Sequence, residues 1–280
     1  MRSAVSCVAW IGVAVFSAGE PSFAQLRDNS EKQMSCQNGN YDSEGVRHCE
    51  MREQTVPAIG RLNVDAHRNG GVTVKGWLRN EVLVRARVEA SAENEGAAAN
   101  LASRVSVDSS GGQVRVTGPE SVDNNNNNNS WWSVSYEIFV PQNTDLTVTA
   151  RNGGINISDV RGQIRFEGRN GGVHLKRLAG DVSGSTVNGG IQAELTGTIW
   201  DGRQLEVSTR NGGVNITMPA SYSARIQAES ERGGFQSDFP LNVQGNLRPR
   251  KLEFNVGTGG PLIHVTTTNG RVSLARAESQ

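Results

Sequence analysis

The sequence predicts an all-β fold, a parallel β-helix-like solenoid of short strands with Asn-Gly-Gly turns and one short helix in an N-terminal cap region. Three observations predict it. Asn-Gly-Gly recurs at Asn69-Gly70-Gly71, Asn152-Gly153-Gly154, Asn170-Gly171-Gly172, Asn188-Gly189-Gly190 and Asn211-Gly212-Gly213, and the variant Asn269-Gly270-Arg271 closes the series. The steps from Asn152 to Asn170 and from Asn170 to Asn188 are 18 residues each. Apolar residues on both sides of each turn alternate with period two, the mark of a strand with one buried face. The 33 glycines and an aromatic content of only 5% fit many short strands joined by tight turns.

Each unit has one grammar. Before the turn come Leu146, Val148, Ala150; then Ile164, Phe166, Gly168; Val182, Gly184, Thr186; and Leu205, Val207, Thr209. After it come Ile155, Ile157; Val173, Leu175; Ile191, Ala193, Leu195; and Val214, Ile216, Met218. A second glycine turn follows, as in Val160-Arg161-Gly162. Asn-Gly is also a strong hairpin signal, so an antiparallel meander is the rival architecture. The fixed period favours coils running the same way, with like residues stacked. The corner asparagines keep step with the inward-facing residues, so they are expected to point inward and to hydrogen-bond one another at the rung spacing of about 4.8 Å. Stacked aspartates would repel. The longer step to Asn211, 23 residues, implies an insertion around Thr198–Arg203. His67 and Arg68 add one residue to the first turn and predict a bulge.

Residues 1–24 read as a secretory signal peptide, with an apolar run from Ala4 to Ala18 and the small residues Ser22 and Ala24 before the cut. An uncleaved anchor is the alternative, but the run is short for a span of about 20 residues. Residues 25–56 are polar and lack apolar periodicity. They read as a leader looped by a Cys36–Cys49 disulfide, with two free thiols as the alternative. Residues 57–280 are the solenoid, with a cap and first rungs over 57–145 and regular repeats over 146–275. In the cap, Val82–Val88 and Trp131–Val140 read as strands and Glu93–Arg104 as a helix. Val105–Val107 and Val114–Val116 read as a hairpin turning at Ser109–Gly112. Asn124–Asn129 is a low-complexity loop tip. Ala275–Gln280 reads as a frayed tail.

The chain resembles the bacterial putative-adhesin β-strand-repeat family, a domain of unknown function. The likeness is carried by Arg151-Asn-Gly-Gly-Ile-Asn-Ile-Ser-Asp-Val-Arg-Gly, Gly180-Asp-Val-Ser-Gly-Ser-Thr-Val-Asn-Gly-Gly and Val265-Thr-Thr-Thr-Asn-Gly, with Gly70-Gly-Val-Thr-Val-Lys-Gly-Trp and Phe139-Val-Pro, over roughly residues 57–275. The resemblance implies a right- or left-handed β-helix-like body and a periplasmic, cell-surface or extracellular setting. It implies no shared catalytic or binding residues.

The residues point to binding rather than catalysis. Lys+Arg and Asp+Glu both number 28, which argues against a nucleic-acid partner. No nucleophile elbow, phosphate loop or metal-ligand spacing occurs, so no catalytic residue, metal or cofactor is expected. His48 beside Cys49 leaves a zinc site one ligand short. Asn156-Ile-Ser158 and Asn215-Ile-Thr217 match the glycosylation pattern only by virtue of a polar strand face. Stacking brings Arg151 over Arg169, which suits an anionic glycan or phosphate; the competing reading is a solvated face with Glu167 nearby. Asn156, His174, Gln192 and Asn215 form a second outward column that could meet a sugar or merely hydrate the sheet. Trp77, Trp131, Trp132 and Trp200 lie near breaks in the repeat, where core capping competes with sugar stacking. The expected function is a non-enzymatic, adhesin-like exported protein with no span after signal cleavage, whose partner would be a glycan or another envelope component. The alternatives are a polysaccharide-acting enzyme on the same scaffold and a self-assembling structural protein.

Overall fold

A computed structural model describes residues 34–36, 45–119, 130–240 and 250–277. Residues 1–24, expected to be a signal peptide, and the Asn124–Asn129 tract lie outside the described residues. Among the described residues no helix is long and apolar enough to cross a membrane.

The chain forms strands β1 (Val46–Pro57), β2 (Arg61–Asp65), β3 (Val72–Trp77) and β4 (Glu81–Ala92), then helix α1 (Glu95–Ser103). Next come β5 (Ser106–Asp108), β6 (Gln113–Thr117), β7 (Trp131–Pro141), β8 (Asp145–Asn152) and β9 (Ile155–Ser158). The repeats continue as β10 (Arg161–Asn170), β11 (Val173–Lys176), β12 (Ala179–Asn188), β13 (Ile191–Glu194), β14 (Gln204–Asn211) and β15 (Val214–Met218). The chain closes with β16 (Ala224–Ser237), β17 (Lys251–Val256) and β18 (Leu262–Arg276).

Consecutive coils run parallel, so the meander is excluded. Strands before each corner stack as β6-β2-β8-β10-β12-β14-β18-β16, and strands after it as β7-β3-β9-β11-β13-β15-β18-β16. β16 and β18 pass through the corner and belong to both faces. Between the faces runs the core. Ile155, Val173, Ile191 and Val214 stack in one inward column, each at most 1% exposed. In another column Phe166 meets Gly184, where a Cβ would lie 2.5 Å from the ring. Glycine there makes room for the one bulky aromatic among these strands.

Stacking order departs from chain order at both ends, which repeat spacing does not reveal. The β2–β3 coil lies between the β6–β7 coil and the β8–β9 coil, and β18 lies between β14–β15 and β16. Antiparallel strands finish the stack: β5 on β6, β4 and then β1 on β7, and β17 on β16. The helix buries Ala98, Leu101 and Ala102, and Asn94 caps it by accepting from the Ala97 N–H at 2.9 Å.

Two expectations are corrected. The leader's last third is strand, not loop: β1 pairs with β4 over its full length. Its side chains are mostly polar and none is buried, so backbone pairing at a sheet edge, rather than apolar alternation, holds it there. The tail is ordered further than expected, because β18 runs to Arg276 and the Ala277 N–H bonds the Met218 carbonyl. Cys36 and Cys49 are disulfide-bonded, with the Cα atoms 5.8 Å apart. The bond lays residues 34–36 over the outer face, where the Met34 N–H donates to the buried Glu137. Replacing both cysteines by serine should lower stability by about 2–3 kcal/mol in a denaturant titration, given the short loop closed. A fragment of residues 102–280, lacking the β2–β3 coil, would leave β6 and β8 without their shared partner. It should fail to give a cooperative melt where residues 25–280 do.

Candidate binding surface along the asparagine edge

The corner is where the polypeptide leaves one face for the other, and its backbone bonds must still be satisfied. The first glycine of each corner does this: the Gly153 N–H donates to the Asn170 carbonyl, Gly171 to Asn188, Gly189 to Asn211 and Gly212 to Asn269, each at 2.9–3.0 Å. Only glycine tolerates that approach, since a Cβ on Gly171 would lie 2.2 Å from the Gly153 oxygen.

The asparagine amides form an unbroken ladder. Each Nδ2 donates to the Oδ1 of the rung before: Asn269 to Asn211, Asn211 to Asn188, Asn188 to Asn170, Asn170 to Asn152, and Asn152 to Asn69, at 2.7–3.0 Å. The ladder is exposed, which corrects the inward placement expected from parity. On three rungs the inward slot two residues earlier is taken by a hydroxyl, and before Asn152 and Asn170 it is Ala150 and Gly168. Thr186, Thr209 and Thr267, all buried, donate to the Gly171, Gly189 and Gly212 carbonyls at 3.1, 2.8 and 2.8 Å. A short hydroxyl reaches the corner carbonyl from inside, while the longer amide turns outward and keeps its spare donor and acceptor hydrated. These threonines stood in the alternating runs, but parity marks a position as inward without assigning its bond.

Beside the ladder runs a column of arginines. Arg68, Arg151, Arg169 and Arg210 each precede a corner asparagine and are exposed, with Val187 and Thr268 in the two remaining slots. None of the four guanidinium groups has a hydrogen-bond or ion-pair partner among the described residues, and Glu167 pairs with none of them. The opposite edge is neutralised internally: Arg161 pairs with Asp201, Arg203 with Asp181, Arg177 with Asp159 at 2.5 Å and Lys176 with Glu194 at 2.8 Å. The hydrogen bond from Arg203 holds the Asp181 carboxyl below the ordinary carboxylate range.

Arg68 leads into a cleft of about 350 Å³ lined by His67, Leu101, Val116, Trp131 and Trp132. The Trp132 Nε1–H donates to the Pro119 carbonyl at 3.0 Å, and its ring stacks with His67, centroids 6.1 Å apart. His67 is the extra residue of the first corner, in the left-handed region at φ 57°. The other tryptophans divide. Trp77 packs with Phe139 and Leu83 in a second apolar cluster, and Trp200 is buried in the main core with its Nε1–H on the Gly180 carbonyl.

The remaining sequence candidates are near one another but not in this site. Asn156, His174, Gln192 and Asn215 pair in register as one column on the other face, where Asn156 donates to Thr73 Oγ1 at 3.3 Å. Across the corner from them, on the arginine face, His264 sits 3.4 Å from Glu206 and 3.9 Å from Glu229. The hydrogen bond from Lys251 holds Glu229 below its ordinary range, against the opposing effect of burial. Arg151 and Arg169 are the two candidates that the stacking brings together with unpredicted neighbours, Arg68 and the Trp132 cleft.

The Toastrack DUF4097 family profile matches residues 102–275, more than half of the chain. The chain belongs to the Toastrack DUF4097 family. No curated protein matches it in sequence. Among crystal structures, a putative cell adhesion protein from Clostridium sporogenes is 13% identical, with a TM-score of 0.39, 82% of this chain covered and 100% of that one. A putative adhesin from Bacteroides fragilis is 12% identical, with a TM-score of 0.35 and coverages of 82% and 97%. A putative lipid binding protein from Parabacteroides distasonis is 13% identical, with a TM-score of 0.26 and coverages of 84% and 98%. The family match begins inside α1, so the β2–β3 coil lies between strands of this Toastrack domain while preceding the matched region in sequence.

The ladder makes a measurable claim. Asn170→Ala removes two amide bonds at an exposed site and should cost about 1–2 kcal/mol by chemical denaturation. Gly171→Ala should cost more, about 3 kcal/mol, because a backbone oxygen occupies the new methyl's place.

Proposed function

We propose that this Toastrack protein is an exported, non-enzymatic, adhesin-like protein that binds an anionic polysaccharide of the cell envelope or its surroundings along the asparagine edge. The observation that carries the reading is the contrast between the two edges. Arg161, Lys176, Arg177 and Arg203 of one edge are paired with carboxylates on nearby rungs, and four arginines of the other have no side-chain partner among the described residues. Rungs about 4.8 Å apart put Arg68, Arg151 and Arg169 on successive steps and Arg210 two steps beyond, a stripe of about 19 Å. Guanidinium groups bind carboxylates or phosphates with two parallel hydrogen bonds, and a polymer meets several of them at once. The neighbouring asparagine amides keep donors and acceptors for hydroxyls. The rigidity comes from the stack itself, so binding needs no ordering of the protein surface. Export rests on the signal-peptide pattern of residues 1–24, and the compartment is periplasmic, cell-surface or extracellular.

Residues 25–280 should bind polygalacturonate more tightly than a neutral galactan, and the affinity should fall as salt is raised, since the stripe is solvent-exposed. The variant carrying Arg151→Ala, Arg169→Ala and Arg210→Ala should bind about tenfold or more weakly with an unchanged melting temperature. Equal binding of the neutral and anionic polymers, or an unaltered triple variant, would overturn the reading. Release of reducing ends from the polymer would instead favour the polysaccharide-acting enzyme.

A further inference from the structure

We propose that the Trp132 cleft is a subsite for one carboxylated pyranose, a uronic acid residue, at the end of a bound chain. The proposal deepens the polysaccharide reading and rests on it for the path of the rest of the polymer.

The first corner differs from the others by one residue. Elsewhere the inward residue is followed by one outward residue and then the asparagine, as in Ala150-Arg151-Asn152; here His67 is interposed between Ala66 and Arg68. The insertion is not needed for the ladder, because Asn69 still accepts from Asn152 at 3.0 Å. It places a non-glycine residue in the left-handed region, a conformation that costs about 1 kcal/mol or more and persists where the surroundings hold it. Asp65 holds it, accepting from the His67 N–H at 2.8 Å. The result is an imidazole facing the Trp132 indole at the mouth of a cleft, next to a guanidinium with no partner among the described residues.

The chemistry of the walls selects the ligand. A pyranose presents an apolar C–H face that an indole covers, and Trp132 is fixed in orientation by Pro119 and seated against Gly118, where a Cβ would lie 2.7 Å from the ring. Leu101 and Val116 supply the apolar floor. A neutral sugar would leave Arg68 unmatched, whereas a C6 carboxylate would satisfy it. At about 350 Å³ the cleft stands at the lower end of the range for small-ligand sites, about 300–1,000 Å³. Arg68 is also the first step of the arginine stripe, so a chain whose end sits in the cleft runs on over Arg151 and Arg169.

The test uses residues 25–280 and disaccharides of galacturonate, guluronate and glucuronate, their carboxyl-reduced counterparts, and adenosine monophosphate, read by tryptophan fluorescence and saturation-transfer NMR. At least one diuronide should bind saturably, its carboxyl-reduced form about tenfold or more weakly. Arg68→Gln, an exposed substitution that leaves the fold intact, should weaken diuronide binding about tenfold, as should Trp132→Ala. Deleting His67 restores the regular corner and should abolish binding while preserving the melting temperature. Arg169→Ala with Arg210→Ala, two and four rungs from Arg68, should weaken polygalacturonate by a larger factor than they weaken the diuronide. Failure of every diuronide, equal binding of the reduced forms, preference for the nucleotide, or full binding by Arg68→Gln and Trp132→Ala overturns the subsite. If the cleft variants bind polymer normally while the stripe variant does not, the polymer reading stands and the subsite falls. If diuronides bind in the cleft but the stripe variant leaves polymer binding unaltered, the subsite stands alone.

Discussion

The corner at Asn-Gly-Gly is the constraint on which the rest of the molecule depends. A solenoid strand is satisfied by the rung above and the rung below, but at the corner the backbone must turn without orphaning its polar groups. Two bonds meet that need on every regular rung, and a third joins them on the later ones. A glycine N–H reaches the next asparagine carbonyl, a side-chain amide reaches the previous amide, and on the later rungs a buried threonine hydroxyl takes the glycine carbonyl from inside. Because each bond joins fixed positions of neighbouring corners, a slip of one residue would break them together. Register is therefore specified at the corner as well as by the apolar core, and the outward columns inherit it.

The two ends of the stack are closed by threading. In a simple repeat array each unit touches only its sequence neighbours, and terminal units fray independently. Here the second coil at either end is contributed by chain distant in sequence: residues 61–77 enter between coils built from residues 113–141 and 146–158, and residues 262–276 enter ahead of residues 224–237. An end coil cannot then detach without its inner neighbour losing a partner. Such pairings are long-range and slow to form, so the arrangement trades folding speed for ends that stay shut. The antiparallel strands and α1 complete the closure by covering edges and apolar core that the last parallel coil leaves exposed.

What could be read from the sequence and what could not divide along physical lines. The parallel coils were legible because Leu146, Ile164, Val182 and Leu205 recur at like places, and a buried column leaves that trace. The helix was legible from an alanine-rich run behind Asn94, and the β5–β6 hairpin from Ser109–Gly112. β1 was not, because a half-exposed edge strand needs no apolar alternation. The outward turn of the asparagines was not, because the strand ends at the corner and parity no longer assigns a side where the backbone turns. The threading left no trace, since spacing records which segments are alike and not which lie adjacent. For the site, Arg151 and Arg169 were found by stacking alone. Arg68 belongs to the same Arg-Asn-Gly-Gly pattern, but the inserted His67 obscured its register, and its nearness to Trp132 depends on the threaded coil.

The arginine column is hard to account for by stability. Three guanidinium groups on successive rungs repel one another, by up to about 1 kcal/mol per close pair in water, and nothing among the described residues compensates them. The fold has a ready alternative, because on the opposite edge Lys176 faces Glu194 one rung away and each neutralises the other. A lysine–glutamate alternation at residues 151 and 169 would suit the backbone equally well. The sequence instead keeps like charges in step where the amide ladder holds them at fixed spacing. It then interrupts its own repeat by one strained residue at the point where that column meets a half-buried indole. Uncompensated repulsion at a rigid edge is relieved when the neutralising charge arrives from outside, and the cleft beside Arg68 supplies an apolar wall for whatever carries it.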